Sequence, residues 1–213
     1  MNPIVATALA GGIGDLLGGI PFGLIVGRRS GLGDVRQYGS GKTGFTNSLR
    51  TMGVRRALVV VAGDIGKGAL AVVLARYLFD EPAAAALAGA AAVAGHIYPV
   101  FAGFRGGRGV ATAFGAFLGV SPPAALVILA ASMIVLALFR YASLMSVTGV
   151  FAGFLVVGAM WLFGDLAGAY FVLFAVPTMA LIEVSHIGNI RRLLAGTEPK
   201  LGQGGGRRPA GAS

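Results

Sequence analysis

The sequence predicts an all-α, polytopic integral membrane protein with seven transmembrane helices, its N-terminus outside and its C-terminus in the cytoplasm. Composition is the first observation: 56% of the 213 residues are hydrophobic and only 12% are charged, whereas soluble domains carry roughly 25% charged residues. Such a chain lacks the polar surface to cover a globule in water. The other two observations are the lengths of the apolar stretches and the positions of the basic residues.

Seven apolar stretches can be drawn, and most approach the roughly 20 residues that cross a bilayer. The fourth reaches only about 18 Å at 1.5 Å per residue, so we expect it to be tilted or to span part of the hydrocarbon core. Merging it with the fifth would put Pro122 and Pro123 in mid-helix, where each proline removes a backbone hydrogen bond. The stretches are 4–27, 57–79, 83–104, 109–120, 122–139, 143–163 and 166–187.

The basic residues predict the orientation. With seven crossings and the N-terminus outside, all of the 17 Lys and Arg residues except Lys67 and Arg76 fall at one face, as the positive-inside rule requires. Six crossings would separate Arg105 and Arg108 from Arg140. The net charge of +9 is therefore a topology signal, and we expect no nucleic-acid partner.

The chain is expected to form a single membrane domain over residues 1–201, followed by a disordered Gly- and Arg-rich cytoplasmic tail over residues 202–213. The first segment has no basic n-region, so we expect it to be retained rather than cleaved. The chain contains no cysteine, which excludes thiol catalysis and thiolate metal sites. No metal and no cofactor is expected.

The stretch GSGKTG, residues 39–44, resembles two nucleotide-binding motifs and fits neither. A Walker A motif would need glycine at position 36, which is Arg36, and a preceding β-strand. The GxGxxG pattern of dinucleotide-binding folds needs an acidic residue at the end of a second strand, but the candidate, Asp64, lies within an apolar helix. A nucleotide ligand is therefore not expected.

What remains is a loop suited to phosphate. Its Gly-Ser-Gly backbone lets N–H groups approach an anion, and Lys42 and Arg50 add positive charge. The stretch GFRGGRG, residues 103–109, again combines small residues with guanidinium groups. The alternative is that both are flexible, solvated basic loops.

Polar side chains also fall within apolar helices, where charges are costly and often functional. Asp64 and Lys67 are three residues apart, so they either pair with each other or serve a site. His186 and Asn189 share a helix face at the basic side, whereas His96 is more typical of a hydrogen bond between helices. Together with the basic loops, these residues indicate an anion site beside lipid, in an enzyme or in a transporter whose pathway would include Asp64 and Lys67.

Five ordered elements resemble the bacterial acyl-phosphate:glycerol-3-phosphate acyltransferases, the PlsY family. The stretch GGIPFGLIVGRRSGLGDVRQYGSGKTGFTNSLR is similar to GSIPxG followed by DIRxxGSGNxGATNxxR. GDIGKG resembles DxxKG, and GHIYPVFAGFRGGRGVAT resembles HxFPVFxxFKGGKGVAT. FRYASLMSV and HIGNIRRLLAGTEPKLG are similar to the later signatures. The match covers nearly the whole chain.

The resemblance implies transfer of an acyl group from acyl phosphate to the 1-hydroxyl of glycerol-3-phosphate. The products would be 1-acyl-glycerol-3-phosphate (lysophosphatidic acid) and phosphate, in the first step of phospholipid synthesis. It implies a multi-pass protein of the bacterial inner membrane whose active site faces the cytoplasm. The partners would be the two substrates and membrane lipid.

The resemblance and the loop chemistry together give the expected site. Ser40 and His186 would lie nearest the reacting hydroxyl and carbonyl, with His186 as general base, unless a substrate phosphate takes the proton or Ser40 forms an acyl-enzyme. The expected substrate-binding residues are Gly39, Gly41, Lys42, Thr46, Asn47, Arg50, Lys67, Arg105, Gly107, Arg108, Ser143 and Asn189.

The chain departs from the family pattern at several of these positions. Lys42 stands where the pattern has Asn, and both lysines of the FKGGKG element are replaced, by Arg105 and Arg108. Arginine keeps the charge of lysine but not its shape, so we expect a changed geometry at the substrate phosphate.

Overall fold

The computed structural model describes residues 1–203 and residue 206, and these form helices without a β-strand. The predicted tail over residues 202–213 lies largely outside the described residues. The α-helices of the described part are α1 (Pro3–Gly18), α2 (Phe22–Arg29), α3 (Phe45–Met52), α4 (Val54–Phe79), α5 (Pro82–Ile97), α6 (Val110–Val120), α7 (Pro122–Phe139), α8 (Ala142–Leu162) and α9 (Val176–Leu194).

Six segments of the described residues are long and apolar enough to cross a membrane. The fourth predicted stretch is the 11-residue helix α6, as short as expected. The two prolines after it begin α7 instead of interrupting a longer helix, and the Ser121 hydroxyl accepts a hydrogen bond from the N–H of Ala124 at the start of α7. The six segments are Pro3–Arg29, Val54–Phe79, Pro82–Ala102, Pro122–Phe139, Ala142–Leu162 and Tyr170–Leu194.

The first crossing segment is broken between α1 and α2. Pro21 has no N–H to continue the helix, and the carbonyl of Ile20 instead accepts a hydrogen bond from Nζ of Lys67 at 2.8 Å. Inside a bilayer every backbone polar group needs a protein partner, so Lys67 stabilises a break that the apolar pattern alone did not predict.

Helices α4 and α6 approach so closely that only glycine fits at their contact. A Cβ atom on Gly68 would meet the carbonyl oxygen of Thr112, and one on Gly115 would meet the carbonyl oxygen of Ile65. Small residues of this kind allow membrane helices to pack backbone against backbone. The short helix α6 is thereby held firmly against a long one.

Gly68→Ala is expected to lower the melting temperature of the detergent-purified protein, because the added methyl group forces α4 and α6 apart. Overpacking of this kind costs about 1–3 kcal/mol. Gly66→Ala is the matched control on the same helix, since a Cβ atom there meets nothing within 4 Å. Equal melting temperatures of the two variants would contradict the close packing of α4 and α6.

The loops that the charge pattern placed at one face do meet at one end of the helices. Arg36, after α2, donates to the carbonyl of Ala102, after α5, at 2.8 Å. The N–H of Leu201, after α9, donates to the carbonyl of Arg140, between α7 and α8, at 2.8 Å. Four connections distant in sequence therefore assemble one polar surface, and the candidate site lies there.

Candidate active site

The GSGKTG loop is organised by the side chain of Asn47, on α3. Its amide nitrogen donates to the carbonyls of Val35, Tyr38 and Lys42 at 2.9–3.1 Å, and its oxygen accepts from the N–H of Ser40 at 2.9 Å. Asn47 thus positions the loop rather than contacting a ligand.

Three backbone N–H groups of this loop already have protein acceptors. The N–H of Gly39 donates to the carbonyl of Gly206 at 2.9 Å, that of Ser40 to Asn47, and that of Gly41 to the carbonyl of Tyr38 at 3.0 Å. For the Gly-Ser-Gly stretch, the sequence hypothesis that these N–H groups approach an anion is therefore not supported by the geometry.

A cavity of about 470 Å³ lies between this loop, α3, the GFRGGRG loop and the ends of α8 and α9. It brings together residues that are up to 160 positions apart in the sequence. Eight of the expected site residues line it: Gly39, Ser40, Lys42, Thr46, Arg50, Arg108, Ser143 and Asn189. The other lining residues are Ala142, Ser185, Gly188, Arg192, Glu198 and Pro199.

The cavity is lined by several cations, of which Arg50 and Arg108 are partly buried. Burial lowers the pKa of Arg108 to about 10, and the nearby Arg192 and Arg50 act in the same direction against the pull of Glu198. The pKa of Arg50 is also lowered, first by its burial. A buried cation of this kind gains from an anion brought into the cavity.

Two buried polar atoms here have no hydrogen-bond partner among the described residues: Nε of Arg50 and Nε of Arg108. Buried donors are nearly always paired in folded proteins, so these groups call for an acceptor from a ligand. A phosphate group offers several acceptor oxygens to guanidinium and hydroxyl donors.

Glu198 places one carboxylate in the same cavity. It accepts from the amide of Asn189 at 2.7 Å and from Nε of Arg192 at 2.8 Å. Burial by itself would raise the pKa of Glu198, but the hydrogen bonds from Asn189, Ser143 and Arg192 outweigh it and hold the pKa below its ordinary value. The cavity therefore contains its own anion at neutral pH.

His186 lies one turn from Asn189 on α9 and is buried, with 1% of its surface exposed. Its Nδ1 lies 2.8 Å from the carbonyl of Ile182. A carbonyl can only accept, so Nδ1 carries the proton and Nε2 of the neutral ring keeps a free lone pair. His186 itself does not line the cavity, although its neighbours Ser185 and Asn189 do.

Lys67 lies outside the cavity, in a buried charge network. Its Nζ is 2.9 Å from Oδ1 of Asp64, and Nδ1 of His96 is 3.4 Å from the same oxygen. Of the two readings left open for Asp64 and Lys67, the geometry supports the ion pair. The network joins the α1–α2 break, α4 and the end of α5.

The remaining expected residues do not line the cavity either. Arg105 is exposed. Gly107 packs against the His96 ring, where a Cβ atom would overlap Nε2, and its N–H donates to the carbonyl of His96 at 3.1 Å. Gly41 and Asn47 shape the loop before α3. The site residues thus divide into a cavity set and a supporting set.

Sequence reasoning missed Ser185, Arg192 and Glu198. Arg192 continues the three-residue spacing of His186 and Asn189 along one helix face, so this spacing could have revealed it. Glu198 follows the end of α9 and a left-handed turn at Gly196, with φ of 68°. No periodicity extends across such a turn, so its position depends on the folded chain.

Comparisons with known proteins point to one family. Residues 8–196 match the family model described as glycerol-3-phosphate acyltransferase. Glycerol-3-phosphate acyltransferase 3 of Dehalococcoides mccartyi is 44% identical over 200 residues, covering 88% of this chain and 92% of the relative. Glycerol-3-phosphate acyltransferase of Parasynechococcus marenigrum is 44% identical over 202 residues, covering 94% and 93%.

Two solved structures are similar over almost the whole length. The crystal structure of PlsY, an integral membrane glycerol 3-phosphate acyltransferase, in its glycerol 3-phosphate form has a TM-score of 0.82 and 35% identity, covering 94% of this chain and 96% of that one. The lysophosphatidic acid form has a TM-score of 0.81 and 34% identity, covering 91% and 94%. By its sequence, its fold and its five motifs, the chain belongs to the PlsY-type family of integral membrane glycerol-3-phosphate acyltransferases.

Proposed function

We propose that the chain transfers a fatty acyl group from acyl phosphate to the 1-hydroxyl of glycerol-3-phosphate, releasing phosphate and 1-acyl-glycerol-3-phosphate. The observation that carries this proposal is the cavity in which Arg50 and Arg108 present buried, unpaired donors and which Ser143 also lines. Both substrates bring a phosphate group, and both need cations to hold it beside lipid.

The cations of the cavity supply binding and orientation. Lys42, Arg50, Arg108 and Arg192 line it together with a single carboxylate, Glu198. Arginine binds phosphate oxygens through a planar fork of donors. Holding two reactants in a productive arrangement accounts for a large part of the barrier reduction in such bimolecular reactions.

Besides binding and orienting the substrates, the protein only has to assist proton removal, because acyl phosphate already carries a good leaving group. The substrate hydroxyl oxygen bonds to the acyl carbonyl carbon, the bond from that carbon to the phosphate oxygen breaks, and the hydroxyl loses its proton. His186 does not line the cavity, but its neighbours Ser185 and Asn189 do, and its free lone pair on Nε2 would accept this proton once the substrate hydroxyl comes within hydrogen-bond distance. Ser40, at the cavity wall, would orient the reacting groups.

For the membrane arrangement we propose seven crossings, with α6 as the short fourth one, the N-terminus outside and the C-terminus in the cytoplasm. Residues 1–201 then form one domain. Support comes from the loops rich in Lys and Arg that meet at one end of the helices, as the positive-inside rule predicts for a bacterial inner membrane. The cavity lies at that end.

The proposed reaction is tested with purified protein, palmitoyl phosphate and glycerol-3-phosphate, with lysophosphatidic acid measured by mass spectrometry. We expect product that depends on both substrates and on the protein. Palmitoyl-CoA replaces the donor in a parallel reaction and is expected to give none. Product from palmitoyl-CoA alone would overturn the proposed donor while leaving the family assignment intact.

A further inference from the structure

A second cavity, of about 530 Å³, lies at the same end of the molecule and shares no lining residue with the candidate active site. It is formed by the break after α1, the last turns of α2 and the 3₁₀ turn Val100–Ala102 after α5. We name it the arginine cavity. Its lining residues are Pro21, Leu24, Ile25, Arg28, Arg29, Arg36, Phe101, Ala102 and Gly103.

The three arginines of this cavity differ in what they bind. Arg36 is committed to the protein: it pairs with Asp34 at 2.7 Å and donates to the carbonyls of Ala102 and Arg105 at 2.8 and 3.1 Å. Arg28 and Arg29 are exposed, and neither forms an ion pair with a described residue. Asp34 is hydrogen-bonded to Arg36 and also attracts Arg28, so this one carboxylate faces three arginines and leaves the cavity with a positive charge.

Apolar surface adjoins these charges. Leu24 and Ile25 precede the arginines on α2, and Phe101 faces them with 61% of its surface exposed. Arg29 is the last residue of the first crossing segment, Pro3–Arg29. The cavity therefore lies where the hydrocarbon core of a membrane gives way to its polar surface.

We propose that the arginine cavity binds the phosphate headgroup of an anionic phospholipid, with the acyl chains against Ile25 and Phe101. Guanidinium groups match phosphate oxygens, and basic pockets between membrane helices at the cytoplasmic side are typical lipid headgroup sites. A free anion would gain nothing from the apolar wall. This site is separate from the candidate active site. The two are linked through Arg36, which lines the arginine cavity and donates to the carbonyl of Arg105 in the loop that carries Arg108.

The test measures binding without any acyl donor, so its outcome is independent of the proposed reaction. Fluorescent phosphatidylglycerol is titrated into the purified full-length chain in nonionic detergent and followed by anisotropy. We expect saturable binding that the double variant R28Q/R29Q weakens about tenfold or more, because each arginine near a lipid surface adds to the attraction of the headgroup.

R55Q/R56Q is the matched control. Arg55 and Arg56 are also an exposed adjacent pair, at the start of α4, but they do not line the cavity. Their removal changes the net charge equally, and we expect it to alter binding by less than about twofold because exposed charges that do not line the cavity are screened by salt. Both variants are compared with wild type by thermal unfolding, and the single variants R28Q and R29Q are used if the double variant unfolds.

Three results would overturn the proposal. If both double variants bind phosphatidylglycerol equally weakly, the lipid is attracted by the overall positive charge of the surface and not by a specific site. If phosphatidylcholine displaces the fluorescent lipid as effectively as unlabelled phosphatidylglycerol does, the charge of the headgroup does not determine binding. Displacement by inorganic phosphate at the same concentration as by phosphatidylglycerol would show a site for free anions and not for lipid.

Discussion

Arg108→Ala is expected to lower kcat/KM for glycerol-3-phosphate by about 10²–10³-fold, the usual result of removing one positioned donor from a developing anion. Arg108 lines the cavity, its Nε is buried without a partner, and burial lowers its pKa to about 10. The charge is therefore poorly shielded by water and is felt strongly by a substrate phosphate. The measurement is lysophosphatidic acid formation over a range of glycerol-3-phosphate concentrations.

Arg105→Ala is the control for this prediction. It removes the same charge from the same loop, but Arg105 is exposed and lies outside the cavity, so we expect near-normal kinetics. Arg108→Lys restores the residue of the family pattern and is expected to keep more activity than the alanine variant. A larger loss for Arg105→Ala than for Arg108→Ala would show that the loop presents the other guanidinium to the substrate.

His186→Ala is expected to lower kcat by about 10²–10⁴-fold, which is the contribution typical of a general base. The bond from Nδ1 to the Ile182 carbonyl at 2.8 Å leaves Nε2 as the proton acceptor. The rate of the wild type should then depend on pH through the protonation of His186, and the alanine variant should lack this dependence. Single-turnover measurements of acyl transfer at several pH values test both the loss of rate and the change in pH dependence.

His186→Asn distinguishes proton transfer from positioning. The amide of asparagine can still donate to the Ile182 carbonyl, as Nδ1 of histidine does, but it cannot accept a proton at neutral pH. If His186 is the base, the asparagine variant should be as slow as the alanine variant. Recovery of most activity in His186→Asn would assign proton removal to a substrate phosphate and leave His186 a positioning residue.

The fold was largely predictable because length, hydropathy and charge act on whole segments. The short fourth stretch and the separate start at Pro122 follow from counting residues and from the chemistry of proline. The break at Pro21 was not predicted, because it depends on Lys67 of a different helix reaching the Ile20 carbonyl. Contacts of that kind leave no trace in the apolar pattern of either segment.

The sequence predicted which residue types form the candidate site, but it did not predict which of them line the cavity and which support the loop. Four expected residues line the cavity: Arg50, Arg108, Ser143 and Asn189. The amide of Asn47 instead forms hydrogen bonds to backbone carbonyls of the loop. The sequence could not separate these outcomes, since an amide after a Gly-rich loop suits either a ligand or the backbone. Only the positions of the Val35, Tyr38 and Lys42 carbonyls decide between them.

The carboxylate of Glu198 has a consequence for turnover. A dry pocket of arginines is costly to leave without a counter-charge, so a cavity of cations alone would retain phosphate long after reaction. Glu198, bound to Asn189 and Arg192, keeps part of that charge neutralised when the product departs. If the cavity carries out the proposed reaction, this carboxylate would weaken its affinity for phosphate and speed the release of phosphate after each turnover.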